Sequence, residues 1–211
     1  MSKPSSGQDS VKYLALGDSY TIGEQVAEEA SWPMLLASFL RSKSLAVEKP
    51  EVIAVTGWRT DELMDSIAVQ NYQPDSFDLV SLLIGVNNQY QGKPIEQFET
   101  EFEALLKTAI SLSANDEKGV FVVGIPDYSE SEYAKTEQLK NVSQQLKKFN
   151  RSIKKIAKKY EVAFYPLQTL TKPLHRDKTM LAEDLLHPSE LQYRIWVDSF
   201  KDRVADQLKT R

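Results

Sequence analysis

The chain's two histidines are His175 and His187, so any imidazole base chemistry near neutral pH falls to one of them. His187 stands in Asp184-Leu185-Leu186-His187-Pro188. A turn there can bring the Asp184 carboxylate to the imidazole. A carboxylate on Nδ1 selects the tautomer whose Nε2 can accept a proton, and it stabilises the imidazolium that forms. Ser19, in Gly17-Asp18-Ser19-Tyr20-Thr21, is the matching nucleophile, because a hydroxyl is weak until a base takes its proton. Acyl transfer also needs donors for the tetrahedral oxyanion. The backbone N–H groups of Ser19 and Gly57 and the amide of Asn87 are candidates. His175 has Lys172, Pro173 and Arg176 around it and reads as a solvated loop histidine.

Taken one at a time, these residues have structural readings. Asp18 and Ser19 could cap a helix, Gly57 could be a turn glycine, and Asn87 an Asx-turn former. Asp-x-x-His alone is a short pattern that arises without catalysis.

The elements that must position them follow from hydrophobic spacing. Apolar runs at 11–16, 52–55, 77–84, 120–125 and 162–165 predict five buried strands. Between them lie helical patterns. One covers 32–40, with Ser31 as N-cap and Pro33 in the first turn. A second covers 62–68. A third, opened by Pro94, has Ile95, Phe98, Phe102, Leu105, Leu106 and Ala109 on one face. A fourth carries Leu146, Phe149, Ile153, Ile156 and Tyr160. The last, with Pro188 at its first position, turns Leu191, Ile195, Phe200, Val204 and Leu208 inward. Residues 126–138 are a polar loop. Near-continuous apolar strands alternating with amphipathic helices predict an α/β fold whose parallel sheet is covered on both faces. In such sheets ligands bind beyond the carboxyl ends of the strands. Ser19, Gly57 and Asn87 each follow a predicted strand.

A length of 211 residues suits one domain, expected over 11–211 behind a flexible tail at 1–10. The hydrophobic share of 41% and charged share of 27% exclude a disordered chain, a collagen-like fibre and a membrane bundle. A net charge of −4 argues against nucleic acid as a partner. With no cysteine and two separated histidines, no metal site is expected. No glycine-rich phosphate loop follows a strand, so no cofactor is expected. The basic face formed by Lys147, Lys148, Arg151, Lys154, Lys155, Lys158 and Lys159 reads as solvated, without stable membrane insertion. No signal peptide is visible in the polar opening residues, and a cytoplasmic location is the simplest expectation. Oligomeric state is left open.

Four blocks, in this order, resemble the SGNH hydrolase family, also called GDSL esterases and lipases. They are Leu16-Gly17-Asp18-Ser19-Tyr20-Thr21, Thr56-Gly57-Trp58, Ile84-Gly85-Val86-Asn87-Asn88 and Asp184-Leu185-Leu186-His187-Pro188. Tyr20 replaces the family's usual Leu, and Asn88 the Asp that often follows the signature Asn. The resemblance implies a flavodoxin-like three-layer α/β/α sandwich around a parallel sheet of about five strands. It implies Ser19 as nucleophile, His187 as base and Asp184 as its orienting group. Ser19, Gly57 and Asn87 would form the oxyanion hole. Asp18, Tyr20, Trp58, Asn88 and Tyr90 are expected at the substrate pocket, with loops 126–138 and 168–183 lining it. The implied activity is cofactor-independent hydrolysis of a small-molecule, lipid or sugar ester. Within that activity lie a lysophospholipase or short-chain carboxylesterase and a carbohydrate O-acetyl esterase. A non-catalytic binding module on the same fold is the alternative of another class.

Overall fold

Three apolar runs are buried at every residue and form the centre of the sheet: β1 (Tyr13–Asp18), β3 (Leu79–Leu83) and β4 (Val120–Val123). The edge strands β2 (Glu51–Val55) and β5 (Ala163–Tyr165) are part-exposed. All neighbours pair in parallel, in the order β2-β1-β3-β4-β5. This is the flavodoxin-like order, whose switch point lies between β1 and β3. The computed structural model describes residues 10–209. The expected tail therefore falls outside the described residues except for Ser10, whose hydroxyl donates to Glu48.

The helices, in chain order, are α1 (Ser19–Ile22), α2 (Trp32–Ser42), α3 (Thr60–Val69), α4 (Val86–Tyr90), α5 (Ile95–Leu112), α6 (Glu132–Thr136), α7 (Val142–Lys159), α8 (Gln168–Leu174) and α9 (Glu190–Lys209). α2 packs on α9, while α5 packs on both α3 and α7, giving one helical layer on each side of the sheet. Aromatic contacts seal each layer. Trp32 of α2 meets Phe121 of β4 at 6.2 Å and Phe200 of α9 at 6.1 Å, and Tyr165 stacks on Phe200 at 5.3 Å. In the other layer Phe98 of α5 meets Phe149 of α7 at 4.6 Å. Such pairs add to the area they bury. Among the described residues no helix is long and apolar enough to cross a membrane.

Three local expectations are corrected and a fourth is met only in part. Pro188 does not open α9. It forms an antiparallel bridge with Leu181, and Ser189 caps the helix instead, its carbonyl accepting from Tyr193 N at 3.0 Å. The buried stripe of α9 is then Tyr193, Trp196, Val197, Phe200 and Val204. Leu191, two residues or roughly 200° from Tyr193, faces out and is 47% exposed. Ser31 is the N-cap residue of α2, its carbonyl accepting from Leu35 N at 3.0 Å, but its hydroxyl donates to Glu28 O at 2.8 Å instead of accepting from the helix. The polar loop after β4 contains α6, capped by the Ser131 hydroxyl, which accepts from Ala134 N at 3.1 Å.

Gly17 is required by close approach. A Cβ there would lie 2.1 Å from Thr21 Oγ1 and 2.5 Å from the Leu83 carbonyl oxygen. The first conflict is with the turn into α1, the second with β3 itself. Gly17→Ala should cost about 1–3 kcal/mol, as overpacking typically does, read as a lowered midpoint in urea denaturation. A variant as stable as the parent would show that β1 and β3 can part freely at this point.

Candidate active site

The end of β1 turns at once into α1. The Asp18 carboxylate caps that helix, Oδ1 accepting from Tyr20 N at 3.1 Å. Ser19 is the first residue of α1, where a backbone N–H has no partner within the helix. Asp18 itself is 1% exposed, and its Oδ2 has no hydrogen-bond partner among the described residues. Burial pushes the Asp18 carboxyl up to about 7, against a smaller lowering by its backbone hydrogen bonds.

The loop from Ala182 to His187 shows why the Asp-x-x-His spacing works. Asp184 Oδ1 accepts from Leu186 N at 3.0 Å and from His187 N at 2.9 Å. Leu185 adopts the left-handed conformation with φ +57°, at a cost of roughly 1–2 kcal/mol. His187 O accepts from Ala182 N at 2.8 Å and closes the loop. The chain thus folds back on its own carboxylate, and Oδ2 receives His187 Nδ1 at 2.5 Å. With the proton on Nδ1, Nε2 is an acceptor, and the Ser19 hydroxyl donates to it at 3.0 Å. Burial alone would raise the Asp184 carboxyl. The hydrogen bonds from His187 and from the Leu186 and His187 amides outweigh it and hold Asp184 below the ordinary value. Tyr20 braces the ring from the side, edge-on to His187 at 5.7 Å and tilted against Trp196 at 5.8 Å.

Gly57 lies in the turn after β2, where Trp58 N donates to Val55 O at 3.2 Å. Its φ is +86°, and a Cβ there would meet nothing within 4 Å. The requirement for glycine is therefore conformational. Asn87, in the first turn of α4, donates Nδ2 to Trp58 O at 2.9 Å. A carbonyl acceptor fixes the amide orientation and leaves a second Nδ2–H. Asn88, the next residue, points elsewhere. It accepts from Thr60 N at 3.1 Å and donates to Thr60 Oγ1 at 2.7 Å, which fastens the start of α3 to α4.

Ser19, Gly57, Asn87 and His187 line one cavity of about 180 Å³. Of the five expected pocket residues, Tyr20 and Tyr90 line it, and Asp18, Trp58 and Asn88 do not. Asp18 is turned into the cap of α1. Trp58 packs on the core and serves the site through its carbonyl. Asn88 lies about 100° around α4 from Asn87. Thr56, Val86, Tyr128, Tyr133 and Leu186 complete the wall; Thr56, Val86 and Leu186 lie within the quoted motif blocks, but none of the five was assigned a pocket role by name. Tyr128 and Tyr133 belong to the 126–138 segment, as expected of it, whereas 168–183 contributes nothing. The bond to Tyr90 pushes the Tyr133 phenol up to about 12, with burial adding to it, so it is neutral at physiological pH. His175 is not a solvated histidine. It is 1% exposed, with Nδ1 against the Asp127 carbonyl oxygen at 2.5 Å, and burial lowers its pKa. Among the described residues no three metal-ligating side chains converge.

The profile of the GDSL-like lipase/acylhydrolase family matches residues 15–195. The chain belongs to that family. It is a hydrolase of the lipase/acylhydrolase kind. Solved structures with the same fold include the psychrotrophic esterase EstA from Pseudoalteromonas sp., 17% identical, with a TM-score of 0.68 over 94% of this chain and 98% of that one. TesA is 14% identical with a TM-score of 0.72, covering 93% and 99%. Axe2, an acetylxylan esterase from Geobacillus stearothermophilus, is 18% identical with a TM-score of 0.71, covering 92% and 94%. No curated protein matches the chain by sequence.

The Asp18 carboxyl gives this GDSL-family chain a pH-dependent stability. Its folded pKa of about 7 lies above the ordinary 3.8, so protons favour the folded state. The contribution is complete below pH 3.8 and is lost as pH rises through about 7. Asp18→Asn keeps an oxygen for the Tyr20 N–H and cannot ionise. Its stability relative to the parent should grow between pH 4 and pH 8, by up to about 4 kcal/mol. Thermal melts across that range check this, and a constant difference would place the Asp18 titration elsewhere.

Proposed function

We propose that this hydrolase cleaves short-chain carboxylic esters through an acyl-enzyme on Ser19. The observation that carries the reading is the continuous relay from Ser19 Oγ to His187 Nε2 and from His187 Nδ1 to Asp184, opening on a cavity with Gly57 and Asn87 in its wall. Ser19 Oγ attacks the ester carbonyl carbon as its proton passes to His187 Nε2. Asp184 holds the imidazolium. The N–H groups of Ser19 and Gly57 and the free Nδ2–H of Asn87 receive the oxyanion. Collapse of the tetrahedral intermediate breaks the ester C–O bond, and the departing alcohol takes the proton from His187. Water then attacks the acyl-serine by the same route, giving up a proton to His187, and Ser19 recovers it as the acid leaves.

Cavity size supports a short acyl group. A cavity of about 150 Å³ accommodates benzene, and this one is about 180 Å³. A short-chain carboxylesterase fits that volume better than a lysophospholipase, whose long acyl chain would extend well beyond it. A carbohydrate O-acetyl esterase is a second reading, favoured by the half-exposed Tyr90 ring on the cavity wall, which offers a sugar a stacking face. The acetylxylan esterases that share the fold add to that reading.

Hydrolysis of p-nitrophenyl acetate, butyrate and octanoate tests the assignment. Ser19→Ala should lower kcat by about 10⁶, as loss of a triad serine does. Asp184→Asn should lower it by about 10⁴ by stranding the wrong imidazole tautomer. Undiminished turnover by Ser19→Ala would overturn the serine mechanism. Faster release of acetate from acetylated xylo-oligosaccharides than from the nitrophenyl esters would select the carbohydrate reading.

A further inference from the structure

The cavity has walls of two kinds. Its inner aromatic wall is pinned. Tyr128 is buried, and its hydroxyl donates to Gln89 Oε1 at 2.9 Å, while Gln89 Nε2 donates to Gln145 Oε1 on α7 at 2.7 Å. Tyr20 is wedged between His187 and Trp196. The outer wall is Tyr90, the last residue of α4, and Tyr133 of α6. Their hydroxyls meet at 2.7 Å in an exposed hydrogen bond. Neither phenol has another hydrogen-bond partner among the described residues. α6 is also tied to the loop that carries His187, because Tyr133 N donates to Leu185 O at 3.3 Å.

We propose that the Tyr90–Tyr133 pair is the acyl-length stop of this site. The inference rests on the ester-hydrolase reading and adds to it the residues that set chain length. The two rings come from segments 43 residues apart, so the wall they form exists only while they meet. One exposed phenol–phenol bond holds it, in contrast to the buried Tyr128–Gln89 bond of the inner wall. An acyl group within the present volume leaves the pair in place. A longer one must part the rings and break the bond between them. The pair therefore discriminates by length and not by polarity.

The test compares kcat/KM for p-nitrophenyl octanoate and acetate in the parent, Tyr133→Ala, Tyr133→Phe, Tyr90→Phe and the double phenylalanine variant. Removing the ring should raise the octanoate-to-acetate ratio by about 10-fold or more, since a single methylene of fit is worth that much. The two phenylalanine variants delete the same bond. Each should raise the ratio by a smaller, similar factor, and the double variant should do no more than either alone. An unchanged ratio in Tyr133→Ala, with a melting transition showing it folded, would overturn the proposal. So would independent, multiplying effects of the two phenylalanine changes. Octanoate and acetate binding by calorimetry in a Ser19→Ala background gives a readout free of turnover. There Tyr133→Ala should strengthen octanoate binding and leave the octanoate preference absent in its parent. Failure of Ser19→Ala to abolish hydrolysis sinks the serine mechanism, whereas an octanoate affinity that ignores Tyr133 sinks the length stop.

Discussion

The site depends on where β1 ends. This strand lies between β2 and β3, and connections leave it and β3 toward opposite faces of the sheet, which opens a crevice at their carboxyl ends. The chain must turn into that crevice from a position buried on all sides. Gly17 permits the approach to the Leu83 carbonyl, and the Asp18 carboxylate takes up the Tyr20 N–H that the turn exposes. Ser19 is placed by this constraint, its carbonyl accepting from Gly23 N at 3.2 Å and Glu24 N at 3.0 Å and its hydroxyl meeting His187. The remaining groups are brought to it from two other strand exits and one distant loop.

Those groups are held by polar bonds rather than by packing alone. Asn87 reaches across to Trp58 O, and Asn88 reaches to Thr60. The β3 exit thereby sets the turn that contains Gly57. The Asp184 loop is fastened internally by three bonds to one carboxylate. The two bonds of Asn88 are buried, and buried polar bonds are strong when every member is satisfied. The result is a set of donors and an acceptor whose directions are fixed before any ester arrives, which is what electrostatic stabilisation of a developing oxyanion needs.

Much of this was legible in the sequence because strand exits are local. A run such as 77–84 names its own end, and Gly85, Val86 and Asn87 follow directly. The Asp-x-x-His turn is local too. What could not be read were facts decided by contact between distant segments. The basic neighbours of His175 suggested solvent, yet α8 folds against the β4 exit and the Asp127 carbonyl, 48 residues away, takes its ring. Asn88 looked like a pocket residue until the phase of α4 and the position of Thr60 were known. Leu191 fits an apolar helical pattern, but the aromatic stripe from Tyr193 to Phe200 fixes the rotation of α9. Tyr128 and Tyr133 sit in a polar stretch without periodicity, and only the topology carries them to the cavity.

The buried Asp18 carboxyl remains to be reconciled with a site designed around negative charge. On the proposed acyl-enzyme route, an ionised carboxylate next to Ser19 would repel the oxyanion, and little solvent is present to screen it. Burial opposes that charge. It pushes the group up to about 7, which favours the neutral form far more than in an ordinary aspartate, while Oδ1 still caps α1. Asp184, more exposed and with three donors around it, is held below the usual carboxylate range. Two aspartates flank the same serine–histidine pair, and their surroundings push them in opposite directions. The one whose charge would support an imidazolium keeps it, and the one whose charge would oppose the oxyanion tends to lose it. That separation comes from burial at Asp18, whose Oδ2 has no partner among the described residues, and from the His187 ring and two backbone donors at Asp184.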